Sequence, residues 1–109
     1  MFKLGIGSAN FGVGYGAFSS AGKITNSEII KILNVNTFHG FQYIDTSPEY
    51  RGSELCIGRY QNKYLEKKII TKIPSIQNDT SKSPVNFITS TIKGSLKNLK
   101  QDELYGVLF

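Results

Sequence analysis

Apolar and polar positions along this chain follow two alternating rhythms. Lys3 to Ser8 is short, glycine-rich and partly β-branched, which predicts a strand. Phe11 to Lys23 follows as loop, where Gly12, Gly14, Gly16 and Gly22 permit unusual backbone angles. At Thr25-Asn26-Ser27-Glu28 the S/T-x-x-E pattern opens a helix whose apolar positions are Ile29, Ile30, Ile32, Leu33 and Phe38, with Gly40 as its stop. Phe41 to Thr46 is the next strand, broken at Pro48. From Gly52 a helical pattern carries Leu55, Ile57, Tyr60 and Tyr64 to about Leu65. Lys68 to Ile73 is a third strand, stopped by Pro74, and Ser75 to Lys82 is polar and turn-rich. Ser83-Pro84 then sets a cap residue before a proline at the first helical position. Val85, Ile88, Ile92, Leu96 and Leu99 step along one helical face, the strongest such period in the chain. Glu103 to Phe109 reads as a fourth strand.

Strand and helix alternate throughout, so the expected fold class is α/β with a parallel sheet and right-handed crossovers. Two architectures accommodate that order, a small doubly wound sheet and part of a (β/α)8 barrel. Ending on a strand with no helix after it is odd for a complete domain. The length, 109 residues, bounds the chain to one core. At 39% hydrophobic and 19% charged it is too apolar for the disordered class, and it has no run of about 18 apolar residues that would span a membrane. The first residues lack the basic start and apolar stretch of a secretory signal, and Cys56 is the single cysteine. A cytoplasmic protein without disulfides or a cysteine-rich metal site is the expectation.

The net charge is +5, but the basic residues are mostly scattered lysines, which argues against a nucleic-acid partner. Lys93, Lys97 and Lys100 share one helix stripe and read as a solvated face. The glycine patterns are equally bland. Gly12 to Ala17 matches G-x-G-x-x-[GA] without the helix that a dinucleotide fingerprint must open. Ala17 to Ile24 resembles a phosphate loop but has Ala17 for its first glycine and Ile24 where a hydroxyl should hold magnesium. Asn78-Asp79-Thr80 is a glycosylation sequon with no meaning in a cytoplasmic protein.

Polar residues at strand ends are more informative. Asp45 shares a strand face with Tyr43, and Lys72 shares one with Ile70, so both charges should point the same way as core residues and pair with one another. One reading is a plain ion pair at the rim of a barrel. The other includes Tyr50, five residues past Asp45 in the loop leaving the same end of the sheet. A free tyrosine has a pKa of about 10 and donates a proton poorly at neutral pH, but an adjacent ammonium stabilises its phenolate. With Asp45 holding Lys72 charged and oriented, the three residues make a sensible general acid for placing a proton on a carbonyl oxygen.

Four segments in this order resemble the aldo-keto reductases: Leu4-Gly5-Ile6-Gly7-Ser8 for the family's L-G-x-G-T, Asp45-Thr46-Ser47-Pro48-Glu49-Tyr50 for D-T-A-x-x-Y, Ser53-Glu54-Leu55-Cys56-Ile57-Gly58 for S-E-x-x-L-G, and Lys72. The departures are Ser8 for Thr, Ser47 for Ala, Ile57 for Leu, and Arg51 inserted before the glycine that usually follows the tyrosine. The resemblance implies a (β/α)8 barrel that reduces aldehydes or ketones with NADPH, or with NADH, and a small-molecule carbonyl substrate with no nucleic-acid or membrane partner. It implies Tyr50 as proton donor, Lys72 and Asp45 as its tuning pair, Asp45 also beside the nicotinamide ribose, and Gly7, Ser8 and Ala9 lining the nicotinamide end.

Residues 1–109 would make only the N-terminal half of such a barrel, with four strands and three helices, since the complete domain needs about 250 residues. The family's substrate-orienting histidine would come just after Leu104 to Phe109. His39, at the far end of the first helix, is no substitute, and Cys56 on an apolar helix position is expected to pack. Two functional readings follow: the N-terminal part of a carbonyl reductase, or a non-catalytic half-barrel that binds a partner. The isolated chain is expected to self-associate through its open edges and to reduce nothing by itself.

Overall fold

The computed structural model describes residues 3–12, 24–34, 41–61, 67–76 and 83–109. Among these residues four strands, β1 (Leu4–Gly7), β2 (Phe41–Asp45), β3 (Lys68–Lys72) and β4 (Gly106–Leu108), alternate with three α-helices, α1 (Asn26–Leu33), α2 (Ser53–Tyr60) and α3 (Pro84–Leu99). The strands lie in chain order in one sheet and every neighbouring pair is parallel. A 3-10 turn, Ala9–Phe11, leaves β1.

Helix starts follow the local chemistry of the sequence. The Thr25 hydroxyl accepts the Glu28 amide at 3.2 Å while a Glu28 carboxylate oxygen accepts the Thr25 amide at 2.8 Å, a complete capping box. The Ser83 hydroxyl accepts the Asn86 amide at 3.2 Å with Pro84 opening α3. Helix ends agree less well. α1 closes at Leu33, where the Asn34 amide bonds back to carbonyls of the last turn, and residues 35–40, which include Phe38, His39 and Gly40, lie outside the described residues. α2 stops at Tyr60 rather than Leu65, because Gln61 adopts an extended backbone (φ −66°, ψ 140°). Tyr64, the glycine patterns past Gly12 and the Asn78 sequon are likewise outside the described residues.

The core lies between the helices and one face of the sheet. Phe11, Ile29, Leu33, Ile44, Ile57, Ile69 and Leu99 form it, and Ile44, Ile57, Leu33 and Leu99 are wholly buried. Each such side chain contributes about 1.5–3 kcal/mol relative to exposure. The strand parity read from the sequence holds, and it turns both charges away from the helices. Asp45 and Lys72 do not share the face of this helix-packed core, since Ile44 on β2 and Ile69 and Thr71 on β3 occupy it. Tyr43, Asp45, Ile70 and Lys72 stand on the opposite, half-open face. The apolar stripe of α3 is also only partly used, for Leu99 is buried while Val85 at the other end is 70% exposed.

Gly58 explains how α2 and α3 meet. A Cβ there would collide with the Asn98 carbonyl and the Leu99 backbone, so only glycine allows the helices to approach this closely. Glu54, at the amino end of α2, is 2% exposed. It accepts the Thr71 hydroxyl at 2.7 Å and the Asn98 side-chain amide at 3.3 Å, and so links α2 to β3 and α3.

Candidate active site

Parallel pairing places the C-terminal ends of β1, β2 and β3 side by side. Gly7 is in register with Asp45, and Asp45 with Ile70, two residues before Lys72 on the same face. Lys72 Nζ donates to Asp45 Oδ1 at 2.8 Å and to the Thr46 carbonyl at 2.9 Å. The same ammonium lies 5.1 Å from the centre of the Tyr50 ring. Three groups from two strands and one loop therefore converge at one end of the sheet. The Lys72 and Asp45 side chains are 30% and 42% exposed, so the pair is solvated at a rim rather than sealed in a core.

The electrostatics of the cluster act on the lysine. Burial draws its pKa down, but hydrogen bonding and negative charge from Asp45 and Tyr50 together outweigh that, and the result lies above the ordinary lysine value. Lys72 is thus held as a cation, oriented by an anion and a carbonyl, with a phenol beside it.

Tyr50 is fixed from two sides. Its amide donates to the Ser47 carbonyl at 3.1 Å, and its own carbonyl accepts the Ser53 amide at 2.9 Å as α2 begins. Gly12 packs against that carbonyl so closely that a Cβ would collide with it, which ties the turn after β1 to the loop that carries the phenol. Tyr50 itself remains half-buried.

Behind this rim runs a chain of hydroxyls that sequence reasoning did not single out. Thr46 Oγ1 and Ser53 Oγ are 3.1 Å apart, and Ser53 Oγ donates to Ser8, whose Oγ and carbonyl oxygens lie at 2.7 and 2.8 Å. Ser8 Oγ in turn donates to the Asp45 carbonyl at 2.8 Å, which also accepts the Ser8 amide at 3.0 Å. All three side chains are fully buried. With one proton each, the direction Thr46 to Ser53 to Ser8 to Asp45 satisfies every member. The available signal was small hydroxyl residues at two strand-to-helix turns, Ser8 after β1 and Thr46 and Ser53 at either end of the turn from β2 to α2.

The other candidate positions separate in role. Gly7 is exposed, and a Cβ on it would meet nothing within 4 Å, so the backbone leaves open room beside Asp45. Ala9 is half-buried in the 3-10 turn. Ser8 turns its hydroxyl inward, so it faces Asp45 and Ser53 rather than the open side. Cys56 is half-buried, packs on the core and donates to the Phe11 carbonyl at 3.6 Å. No cluster of three metal-ligating side chains occurs among the described residues. Nor is any described helix long and apolar enough to cross a membrane.

A model of the aldo/keto reductase family matches residues 3–108, nearly the whole chain. The chain belongs to that family. Solved structures agree on the fold. A Pseudomonas aeruginosa protein assigned as an aldo-keto reductase aligns with a TM-score of 0.74 at 24% identity, covering 96% of this chain and 41% of its own. A second structure of a Pseudomonas aeruginosa protein so assigned gives 0.72 at 23% identity, with 96% and 40% covered. A protein assigned as a 2,5-diketo-D-gluconic acid reductase B gives 0.55 at 20% identity, with 93% and 31% covered. No curated protein sequence matches significantly. The chain thus spans about two-fifths of the length of the first two structures, and its four parallel strands and three helices are part of an aldo-keto reductase (β/α)8 barrel. In such barrels the reactive residues sit at the C-terminal ends of the strands, the end at which Asp45 and Lys72 meet.

Proposed function

We propose that residues 1–109 form the N-terminal half of an NADPH-dependent reductase that converts an aldehyde or ketone to an alcohol, with NADH as the other cofactor of the class. The observation that carries this reading is the Lys72 ammonium, 2.8 Å from Asp45 and 5.1 Å from the centre of the Tyr50 ring, at the C-terminal end of the sheet. Tyr50 is the proton donor to the carbonyl oxygen. Lys72 makes that donation easier by stabilising the phenolate that remains, and Asp45 keeps Lys72 charged and aimed.

The residues fit a nicotinamide ribose in part. Asp45 uses only Oδ1 on Lys72 and is 42% exposed, while Gly7 offers open backbone beside it. Gly7, Ala9 and Asp45 would hold that end of the cofactor, and the Ser8 hydroxyl contributes by fixing the Asp45 backbone. When bound, the reduced nicotinamide supplies a hydride to the carbonyl carbon. In a protein with the barrel completed, the test is cofactor oxidation against a panel of aldehydes and ketones. Turnover in the parent, and loss of it in Tyr50→Phe with cofactor binding retained, is the expected result.

A second reading, a half-barrel that self-associates or binds a partner without catalysis, draws on the sheet edges. Leu4 on β1 is 46% exposed and Leu108 on β4 is 51% exposed, with Phe109 at 91%. Leaving a few hundred Å² of apolar surface open forfeits several kcal/mol at about 25 cal/mol per Å². The 109-residue chain alone is therefore expected to elute from a sizing column as more than a monomer and to oxidise no NADPH. A compact monomer that melts cooperatively would remove that reading.

A further inference from the structure

Both sides of the rim are tied to the first turn of α2. Ser53 holds one side: its amide donates to the Tyr50 carbonyl at 2.9 Å, and its hydroxyl donates to Ser8, which donates to the Asp45 carbonyl. Glu54, the next residue, holds the other side. Its Oε1 accepts the Thr71 hydroxyl at 2.7 Å, and Thr71 immediately precedes Lys72 on β3. Its Oε2 accepts the Asn98 side-chain amide at 3.3 Å, so both oxygens are engaged.

The bond from Thr71 to Glu54 lies in an otherwise apolar layer. Ile69, Thr71 and Ile73 alternate along the helix-facing side of β3, and all three are buried. A valine would fill the place of Thr71 with no polar atom to satisfy. Glu54 is 2% exposed and forms no ion pair among the described residues, and a carboxylate in that setting is costly. What the two polar groups supply is direction. Hydrogen bonds to a carboxylate are shorter and stronger than those between neutral groups, and this one runs from helix to sheet. Within the sheet, β3 is held by its neighbours, since the Thr46 amide donates to the Ile70 carbonyl at 2.9 Å and the Ile73 amide to the Leu108 carbonyl at 2.8 Å. Those bonds lie in the plane of the sheet and leave its height over α2 to side chains. Thr71 and Glu54 set that height one residue away from Lys72. Tyr50 is fixed to the same helical turn through Ser53, so phenol and ammonium share one point of reference.

We propose that Glu54 is a positioning residue for carbonyl reduction: through the Thr71 hydroxyl it fixes the end of β3 so that the Lys72 ammonium meets Asp45 and the Tyr50 phenol together. Its effect on turnover rests on the reductase reading, whereas its effect on Lys72 does not.

The test uses the completed barrel with Thr71→Val, Thr71→Ser, and Thr71→Val combined with Glu54→Met. Two readouts are taken: the NMR titration of the Lys72 ε-carbon, assigned by its loss in Lys72→Met, and kcat and KM with benzaldehyde and NADPH. Thr71→Val should lower kcat by roughly tenfold or more, the scale of a displacement of up to about 1 Å at a reacting group, with KM for NADPH near the parent value. Its Lys72 midpoint should fall toward the ordinary lysine value, because contact with Asp45 and Tyr50 is what holds it above. Thr71→Ser keeps the hydroxyl and should recover both. The double variant removes donor and acceptor together, so it should be more stable than Thr71→Val, in which a buried carboxylate oxygen loses its donor. Its kcat and Lys72 midpoint should nevertheless stay at the Thr71→Val values. Recovery of kcat along with stability would make the bond merely structural and overturn the proposal, as would an unmoved Lys72 midpoint in Thr71→Val. Should Thr71→Val fail to fold, the double variant decides against the parent. A parent that reduces no benzaldehyde removes the reductase reading, and the Lys72 midpoints then decide the positioning alone.

Discussion

Lys68 and Lys72 stand on the same face of the same strand, four residues apart, and both lie against tyrosines. Lys68 Nζ is 5.5 Å from the centre of the Tyr43 ring and 5.1 Å from that of Tyr105, and the two rings pack edge to face at 5.4 Å. Lys72 has one ring, Tyr50, at 5.1 Å. Aromatic company therefore does not distinguish a site from a packed surface. The carboxylate does. Lys72 is held by Asp45 and the Thr46 carbonyl, whereas Lys68 forms no ion pair among the described residues. Direction matters as well, since the C-terminal end of β2 runs into a tight turn that returns Tyr50 to the rim, backed by three buried hydroxyls.

The sharpest way to break this comparison is to remove each phenol in turn in a protein with the barrel completed. Tyr50→Phe should lower carbonyl reduction by about 10²-fold or more, the usual cost of a lost general acid. Tyr43→Phe and Tyr105→Phe should leave turnover near the parent level, because the proposed proton donor stands at the other end of the sheet and their lysine forms no ion pair among the described residues. Steady-state rates of the three variants decide it. Equal losses would make the two lysine clusters equivalent and end the catalytic reading.

The hydroxyl chain is the next difference between the ends. Ser53→Ala strands the Thr46 hydroxyl and removes a donor to Ser8, all in a fully buried setting, and should cost about 1–3 kcal/mol in urea unfolding. Ser53→Thr keeps the hydroxyl and separates its loss from that of packing. A change within error for Ser53→Ala would mean that the rim is positioned by the backbone alone.

Much of this was legible beforehand, and the reasons are local. Thr25 with Glu28, and Ser83 with Pro84, are short-range capping signals that need no knowledge of the fold. The alternation of elements specifies a parallel α/β order. Parity places Asp45 and Lys72 on a common face, but it cannot tell which face the helices cover, because Tyr43 and Ile70 look as apolar as Ile44 and Ile69. Both charges share a face with Tyr43 and Ile70, as parity requires, and that face is the one turned away from the helices. The end of α2 was overrun because Tyr64 continues the apolar pattern past Tyr60. Nothing in that pattern marks the extended turn at Gln61. The chain Thr46–Ser53–Ser8 was missed for a further reason: its members are 7 and 45 residues apart and meet only once the parallel register is set.

Smaller effects should separate the lysines by stability. In Lys68→Met the loss is of cation–ring contacts at an exposed position, about 0.5–1 kcal/mol. Lys72→Met removes an ion pair that solvent screens, since both side chains are about a third exposed or more, and about 1 kcal/mol is an upper figure for it. The expected distinction lies in coupling. A double-mutant cycle of Lys72→Met with Asp45→Asn should show a favourable interaction, and one of Lys68→Met with Asp45→Asn should show none. Comparable coupling in both cycles would mean that Asp45 acts through the field of the whole face.

The finest separation is in alkali. The pKa of Lys72 is raised in the fold: burial pulls it down, and the hydrogen bonds and charges of Asp45 and Tyr50 more than compensate. A group with a higher pKa folded than unfolded binds its proton more tightly in the native state. Its contribution is complete below the ordinary lysine pKa of about 10.4 and fades as pH climbs through the higher folded value. Wild-type stability should therefore fall more steeply with pH above that point than the stability of Lys72→Met. Urea midpoints at a few pH values on either side of the ordinary lysine pKa give the comparison. A Lys72→Met curve parallel to the wild type would mean that Asp45 and Tyr50 leave the lysine proton no more tightly held than water does.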